Sequence, residues 1–124
     1  KLVVTGFGSA GRVALSAVRA AREEGIPVGL IRPVTLNPFP RQVYAKAAEQ
    51  ADGMLVVEMN NGMMLDDVLL ATQGKVPVEF YGRMGGVFLM PDEVLSEIRR
   101  MAAGNIPTAG HPRDRWLDRV KGVI

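Results

Sequence analysis

A chain of 124 residues is long enough for one domain built around a single core. Its 15 basic and 13 acidic residues leave a net charge of +2, too small and too scattered along the chain to point to nucleic acid. Cysteine is absent, which excludes disulfides, thiolate metal sites and cysteine-ligated iron–sulfur clusters, and a single histidine leaves zinc without its usual ligands. No apolar stretch approaches the roughly 20 residues of a bilayer-spanning helix, so the expectation is a cytoplasmic protein. The chain opens inside a strand without an initiator methionine, which reads as the last domain of something longer.

The first element is the apolar run Leu2–Thr5, a strand feeding the turn Gly6-Phe7-Gly8-Ser9-Ala10-Gly11. A helix follows with Val13, Ala14, Ala17, Val18 and Ala21 on one face, Ser9 as its expected cap and Gly25 as its stop. The second strand, Val28–Ile31, runs through the loop Arg32–Phe39 into a helix that starts near Pro40 and turns Val43, Ala47, Ala48 and Ala51 inward. The third strand, Met54–Glu58, precedes a helix from about Met63 to Gln73, with Met64, Leu65, Val68 and Leu69 apolar and Gly74 as terminator. Asp66 and Asp67 fall on its polar side. After the fourth strand, Val78–Tyr81, comes the best-punctuated helix. Pro91 occupies its first turn, Asp92 and Glu93 face the positive end of the dipole, and Arg99 and Arg100 the negative end. Val94, Leu95, Ile98 and Met101 form its apolar face, and Gly104 ends it.

These elements define a domain over residues 1–104. Residues 105–124 are expected as an irregular C-terminal tail, with Asn105–Pro112 as a linker, His111 exposed, and a short solvated helix around Trp116 and Leu117.

The strand runs are continuous rather than alternating, as strands covered on both faces require. Strands alternating with helices imply a parallel sheet with right-handed crossovers. The fold class is therefore α/β, a three-layer, doubly wound sheet. If the strand order is 2-1-3-4, the topological switch point falls between the first and third strands, where the loops beginning at Gly6 and Met59 border a crevice.

By spacing, the first turn matches the dinucleotide signature G-x-G-x-x-G. A redox dinucleotide also needs an acid at the end of the second strand to hold the ribose hydroxyls. Leu30-Ile31-Arg32-Pro33 supplies none, although Arg32 would suit the ribose phosphate of NADP. The glycines therefore read as backbone devices, for a tight turn and a close-packed helix, with a nucleotide-binding module as the alternative. A phosphorelay receiver is excluded, because Thr5-Gly6-Phe7 and Glu58-Met59-Asn60 lack its acidic residues.

Glu58, at the end of the third strand, suits a general base, a partner for a cofactor ring, or a carboxylate that accepts loop amides and fixes the turn. The last is preferred, since no histidine or second carboxylate stands beside it in sequence. Tyr81-Gly82-Arg83-Met84-Gly85-Gly86 sets a cation among glycines at a strand end, where amides converge on an anion or the arginine reaches across a boundary. Met59, Met63, Met64, Met84 and Met90 concentrate around the same edge, which suits packing against another domain. No catalytic residue and no metal ligand is expected.

Three segments together resemble one family. Gly29-Leu30-Ile31-Arg32-Pro33-Val34-Thr35-Leu36-Asn37-Pro38-Phe39-Pro40 is similar to the second strand and following loop of 2-oxoacid:ferredoxin oxidoreductase alpha subunits. Val56-Val57-Glu58-Met59-Asn60-Asn61-Gly62-Met63-Met64 resembles their third strand and turn, where the position of Met63 is commonly glutamine. Val78-Glu79-Phe80-Tyr81-Gly82-Arg83-Met84-Gly85-Gly86, followed by Pro91-Asp92-Glu93-Val94-Leu95, is similar to their final strand and helix. The resemblance covers about Lys1 to Met101 and is nearest the branch using 2-oxoglutarate or 2-ketoisovalerate.

The resemblance implies a transketolase C-terminal-like domain, mostly parallel, with one antiparallel edge strand upstream of Lys1. It implies oxidative decarboxylation of a 2-oxoacid to acyl-CoA with reduction of ferredoxin. Thiamine diphosphate, magnesium, iron–sulfur clusters and coenzyme A serve the whole complex, and no cofactor is expected in this domain. The implied partners are the other domains of the alpha subunit, the beta subunit, gamma and delta subunits as further candidates, and ferredoxin. The candidate anion- or coenzyme A-facing positions are Gly8, Ser9, Asn60, Gly62, Arg83, Gly85 and Gly86. The expected role is thus a structural and interface domain. The competing readings are a free-standing NADP-binding module and a transketolase-type relative with another reaction.

Overall fold

A computed structural model describes residues 1–59, 63–83, 89–104, 106 and 110–121 of the chain. Four strands alternate with helices: β1 (Leu2–Gly6), α1 (Ser9–Glu23), β2 (Val28–Ile31), α2 (Arg41–Ala48), β3 (Gly53–Glu58), α3 (Met63–Thr72), β4 (Val78–Gly82), α4 (Pro91–Ala102) and α5 (Pro112–Lys121). The sheet order is β2-β1-β3-β4, which meets the condition for that switch point, and every pairing is parallel, as the sequence predicts. Leu2 registers with Val28 on one side and Gly53 on the other, and Met54 with Val78. All six residues of β3 are buried, which explains its unbroken apolar run. α1 packs against α4 and α2 against α3, as right-handed crossovers on the two faces require. None of the described helices is long and apolar enough to cross a membrane.

The expected face of α4 is wholly buried, and Met64, Leu65 and Val68 of α3 are buried with it. Two local expectations give way. Ser9 is not the cap of α1 but its first residue; Gly8 holds the cap position, with no side-chain hydrogen bond. In α2, Val43 is 50% exposed, and the neighbouring Tyr44 is the buried residue, with Ala48 one turn on. The reason is polar as well as apolar. Tyr44 stacks on Phe39 with ring centroids 4.8 Å apart, and its hydroxyl lies 2.6 Å from Thr5 Oγ1. Thr5 Oγ1 donates to Ile31 O at 2.9 Å, so Tyr44 is the donor in the shorter bond.

The largest correction concerns the tail. α5 is not a solvated helix: Trp116 is 4% exposed and meets Phe80 edge-on at 5.1 Å. His111 is half-buried, its Nδ1 accepting the Arg113 N–H at 3.1 Å. The cause lies on β4, where the Glu79 carboxylate is fully buried. Arg115 Nε meets it at 2.8 Å and Arg119 Nη1 at 3.1 Å from α5, and Arg100 Nη2 at 2.7 Å from α4. Arg100 and Arg119 also bind Glu97, at 3.2 and 2.8 Å. A buried carboxylate needs cations around it, and the tail supplies two of the three.

Removing that anion leaves three guanidiniums around a neutral group. Glu79→Gln is therefore expected to lower stability by about 3 kcal/mol in urea denaturation. Glu24→Gln, which breaks the exposed pair with Arg99, should leave the midpoint almost unchanged. Equal effects of the two would contradict this assignment.

Candidate functional site

The carboxyl ends of β1 and β3 diverge at the switch point, as in open α/β sheets generally. They leave a cleft of about 340 Å³ lined by Phe7, Gly8, Ser9, Ala10, Leu36, Val57, Glu58, Met59 and Met64. The turn after β1 forms one wall. A Cβ on Gly11 would stand 2.7 Å from Gly6 O, and one on Gly6 would stand 3.0 Å from the Ala10 backbone. The two glycines thus let α1 seat directly against the end of β1. Gly8, at φ +60°, adopts a backbone conformation that other residues rarely take. Each glycine of the signature thus has a backbone reason.

Glu58 forms the floor and is 5% exposed. Its Oε1 accepts the Met64 N–H at 2.8 Å and its Oε2 the Leu65 N–H at 3.0 Å. Both amides belong to the first turn of α3, whose dipole favours a negative charge there. The carboxylate fixes the β3–α3 turn, as preferred from the sequence, and both its oxygens are engaged. Burial nevertheless pushes its carboxyl above the usual carboxylate range. The two amides pull it down less strongly, Asp66 adds a small upward push, and Arg113 a small downward one.

The structure brings Gly8 and Ser9 to this cleft. Arg83 stands at the end of β4, where its N–H donates to Glu58 O at 3.2 Å. Its guanidinium pairs with Glu93 and donates to the Tyr81 hydroxyl at 3.2 Å, with its carbon 5.7 Å from that ring's centroid. Glu93 also accepts the Met90 N–H at 3.2 Å, so Arg83 ties β4 to the first turn of α4. Its charge is thereby met within the domain. Asn60, Gly62, Gly85 and Gly86 lie outside the described residues, as does Met84. Among the described methionines, Met59 and Met90 are exposed at this edge and Met64 is buried.

Arg32, which the sequence offers only for the ribose phosphate of NADP, lies at this turn. Its Nε lies 3.1 Å from where a Cβ on Gly11 would be, so the guanidinium folds over the opening turn of α1. The signal was present, since a cation ending β2 must lie beside the β1 loop. Chemically the cleft offers apolar walls, an uncapped helix N-terminus beside Arg32, and one carboxylate already committed to amides. Among the described residues no group of three His, Asp or Glu is placed to hold a metal ion.

Two substitutions separate these roles. Gly11→Ala should cost about 2 kcal/mol through the clash with Gly6 O, and Gly8→Ala, with open space around it, about 1 kcal/mol through backbone strain alone. Thermal or urea unfolding of both variants checks the order, which a ligand-only role for the glycines would not produce. Glu58 gives a pH signature. Since the folded state favours its protonated form, its contribution to stability is present below its ordinary value of 4.5 and is lost as pH rises through the raised folded value. Urea midpoints of the parent and Glu58→Gln, compared near pH 4.5 and near pH 7, should show the parent losing ground as pH rises.

Residues 1–94 match the family model for pyruvate:ferredoxin oxidoreductase core domain II. The chain is 42% identical over 102 residues to the ketoisovalerate oxidoreductase subunit VorB of Methanothermobacter thermautotrophicus, covering 82% of this chain and 29% of that one. It is 38% identical over 100 residues to the 2-oxoglutarate synthase subunit KorA of Methanothermobacter marburgensis, covering 81% and 27%. The chain thus spans less than a third of the length of the relatives it matches. Among solved structures, a split-gene transketolase in an inactive beta4 tetramer superposes with a TM-score of 0.72 at 16% identity, covering 83% of this chain and 38% of that one. That likeness establishes a transketolase C-terminal-like fold, and the matched residues 1–94 take in all four strands. The chain belongs to the pyruvate:ferredoxin oxidoreductase core domain II family.

Proposed function

We propose that this chain is the C-terminal structural and interface domain of a 2-oxoacid:ferredoxin oxidoreductase alpha subunit. The whole complex oxidatively decarboxylates a 2-oxoacid of the 2-oxoglutarate or 2-ketoisovalerate type, forms acyl-CoA and reduces ferredoxin. The observation that carries this reading is the pairing of two facts. The relatives are oxidoreductase subunits, while the cleft at the switch point holds one carboxylate, already bound to the amides of Met64 and Leu65. Such a site supports packing and recognition rather than proton transfer.

In this reading thiamine diphosphate, magnesium and the iron–sulfur clusters sit in other domains or in the beta subunit of a cytoplasmic complex. The exposed Phe7, Met59 and Met90 at the carboxyl edge suit contact with those neighbours. Coenzyme A is the ligand whose phosphates suit the first loop, where Gly8 and Ser9 open α1 without a side-chain cap and Arg32 folds over the turn. The loops carrying Asn60, Gly62, Arg83, Gly85 and Gly86 complete the proposed coenzyme A-facing edge.

The purified chain alone is expected neither to turn over 2-oxoacids nor to take up thiamine diphosphate, and turnover by it would refute the proposal. In calorimetry, coenzyme A should bind and Arg32→Ala should weaken it about tenfold, the effect of one charge-assisted contact. Micromolar NADP affinity that disappears on Gly8→Leu would favour the free-standing nucleotide module instead.

A further inference from the structure

The outer edge of β4 is closed in an unusual way. The parallel ladder to β3 uses alternate residues of β4: Met54 N–H donates to Pro77 O at 2.9 Å, and Arg83 N–H donates to Glu58 O. Val78 and Phe80 therefore turn their backbone groups away from the sheet. Their carbonyls are met not by a strand but by two side chains of α5. Arg115 Nη2 donates to Val78 O at 2.8 Å, and Arg119 Nη2 to Phe80 O at 3.0 Å. The same two arginines grip Glu79 from the same helix.

We propose that α5 is a releasable strap over the outer edge of β4, and that β4, once uncovered, pairs antiparallel with the β4 of a second copy of this chain. Three observations support release. Among the described side chains of α5, the buried apolar ones are Trp116 and, at the helix start, Pro112. The rest is ionic, through two guanidiniums whose side chains keep 15% and 25% exposure around the buried Glu79. Docking also strands two donors: Arg113 Nε and Trp116 Nε1 are buried without a hydrogen-bond partner, the only such side-chain atoms among the described residues. Release does not orphan Glu79, because Arg100 stays with it from α4.

The partner follows from the edge itself. Apart from Glu79, Val78-Glu79-Phe80-Tyr81 is apolar and aromatic, and it is free of proline, and so a template for strand addition once bare. A two-fold axis at Glu79 would set two carboxylates directly opposite, which is unfavourable. An axis at Phe80 instead sets Phe80 against its own copy and each Glu79 across from Tyr81 of the second copy. The Tyr81 hydroxyl accepts from Arg83 and keeps its own proton to donate to that carboxylate. The edge is thus complementary to itself in one register, as a closed dimer needs.

The test is the full chain carrying Arg115→Ala and Arg119→Ala together, followed by Trp116 fluorescence, sedimentation velocity and backbone hydrogen exchange. The expected result is a folded protein by far-ultraviolet circular dichroism, with red-shifted Trp116 emission and a concentration-dependent dimer. The amides of Val78 and Phe80 should be protected in that dimer, and adding Tyr81→Phe should weaken it about tenfold. Unshifted emission would show that the arginines do not latch α5, and loss of the whole fold would show that α5 is integral rather than a strap. A folded, released chain that stays monomeric, or dimerises with Val78 and Phe80 still exchanging freely, would equally overturn the proposal.

Discussion

Parallel pairing of β1 with β3 is the constraint on which the rest of the structure depends. Parallel neighbours cannot be joined by a hairpin, so each connection must cross over a face of the sheet, and a helix is the compact way to do so. The helices then bury both faces, which is why β3 is hidden along its whole length. They also send every strand-to-helix turn to one edge, where β1 leads to α1 and β3 to α3. α1 can seat on β1 only because Gly6 and Gly11 present no side chain at the point of closest approach. The cleft at the switch point is what remains between the two diverging turns.

Covering both faces creates a second problem, the disposal of charge. Two glutamates are buried in strands, and they are satisfied in different ways. Glu58 stands at a strand end and is met by the amides of a helix that begins beside it. Glu79 stands in mid-strand and takes three guanidiniums from two helices. The first arrangement keeps a turn in place; the second fastens α4 and α5 to the sheet. Both carboxylates are thus held by groups of the fold itself.

The same division explains what was legible from the sequence. The strands and the α4 face follow from runs and periods, and those patterns record burial directly. The roles of Gly6, Gly8 and Gly11 followed from the missing acid after β2. Hydropathy points to Val43 rather than Tyr44, because it undervalues a tyrosine whose hydroxyl finds a buried partner in Thr5. Ser9 was mistaken for the cap because the composition of a cap does not reveal that a positive-φ glycine holds the position. The docking of α5 was hidden because its arginines look like a solvated face. They become informative only beside Glu79, a charge inside a strand covered on both faces. Glu79 demands cations, and Arg115 and Arg119, one turn apart, supply them.

The two edges of the sheet are consequently unlike. On β2, the ladder with β1 leaves Val28 and Leu30 pointing outward; Arg22 Nε donates to Val28 O at 2.8 Å, and no described side chain donates to Leu30 O. β2 is also the least buried strand, with an apolar groove beside it lined by Val3, Leu30, Ile31 and Ala47. On β4 the outward carbonyls of Val78 and Phe80 are taken while α5 is docked. An antiparallel fifth strand, of the kind the family resemblance implies, therefore meets an open partner along β2 and a closed one along β4. With α5 in place the sheet can grow in one direction only, away from the edge that Glu79 and its arginines hold shut.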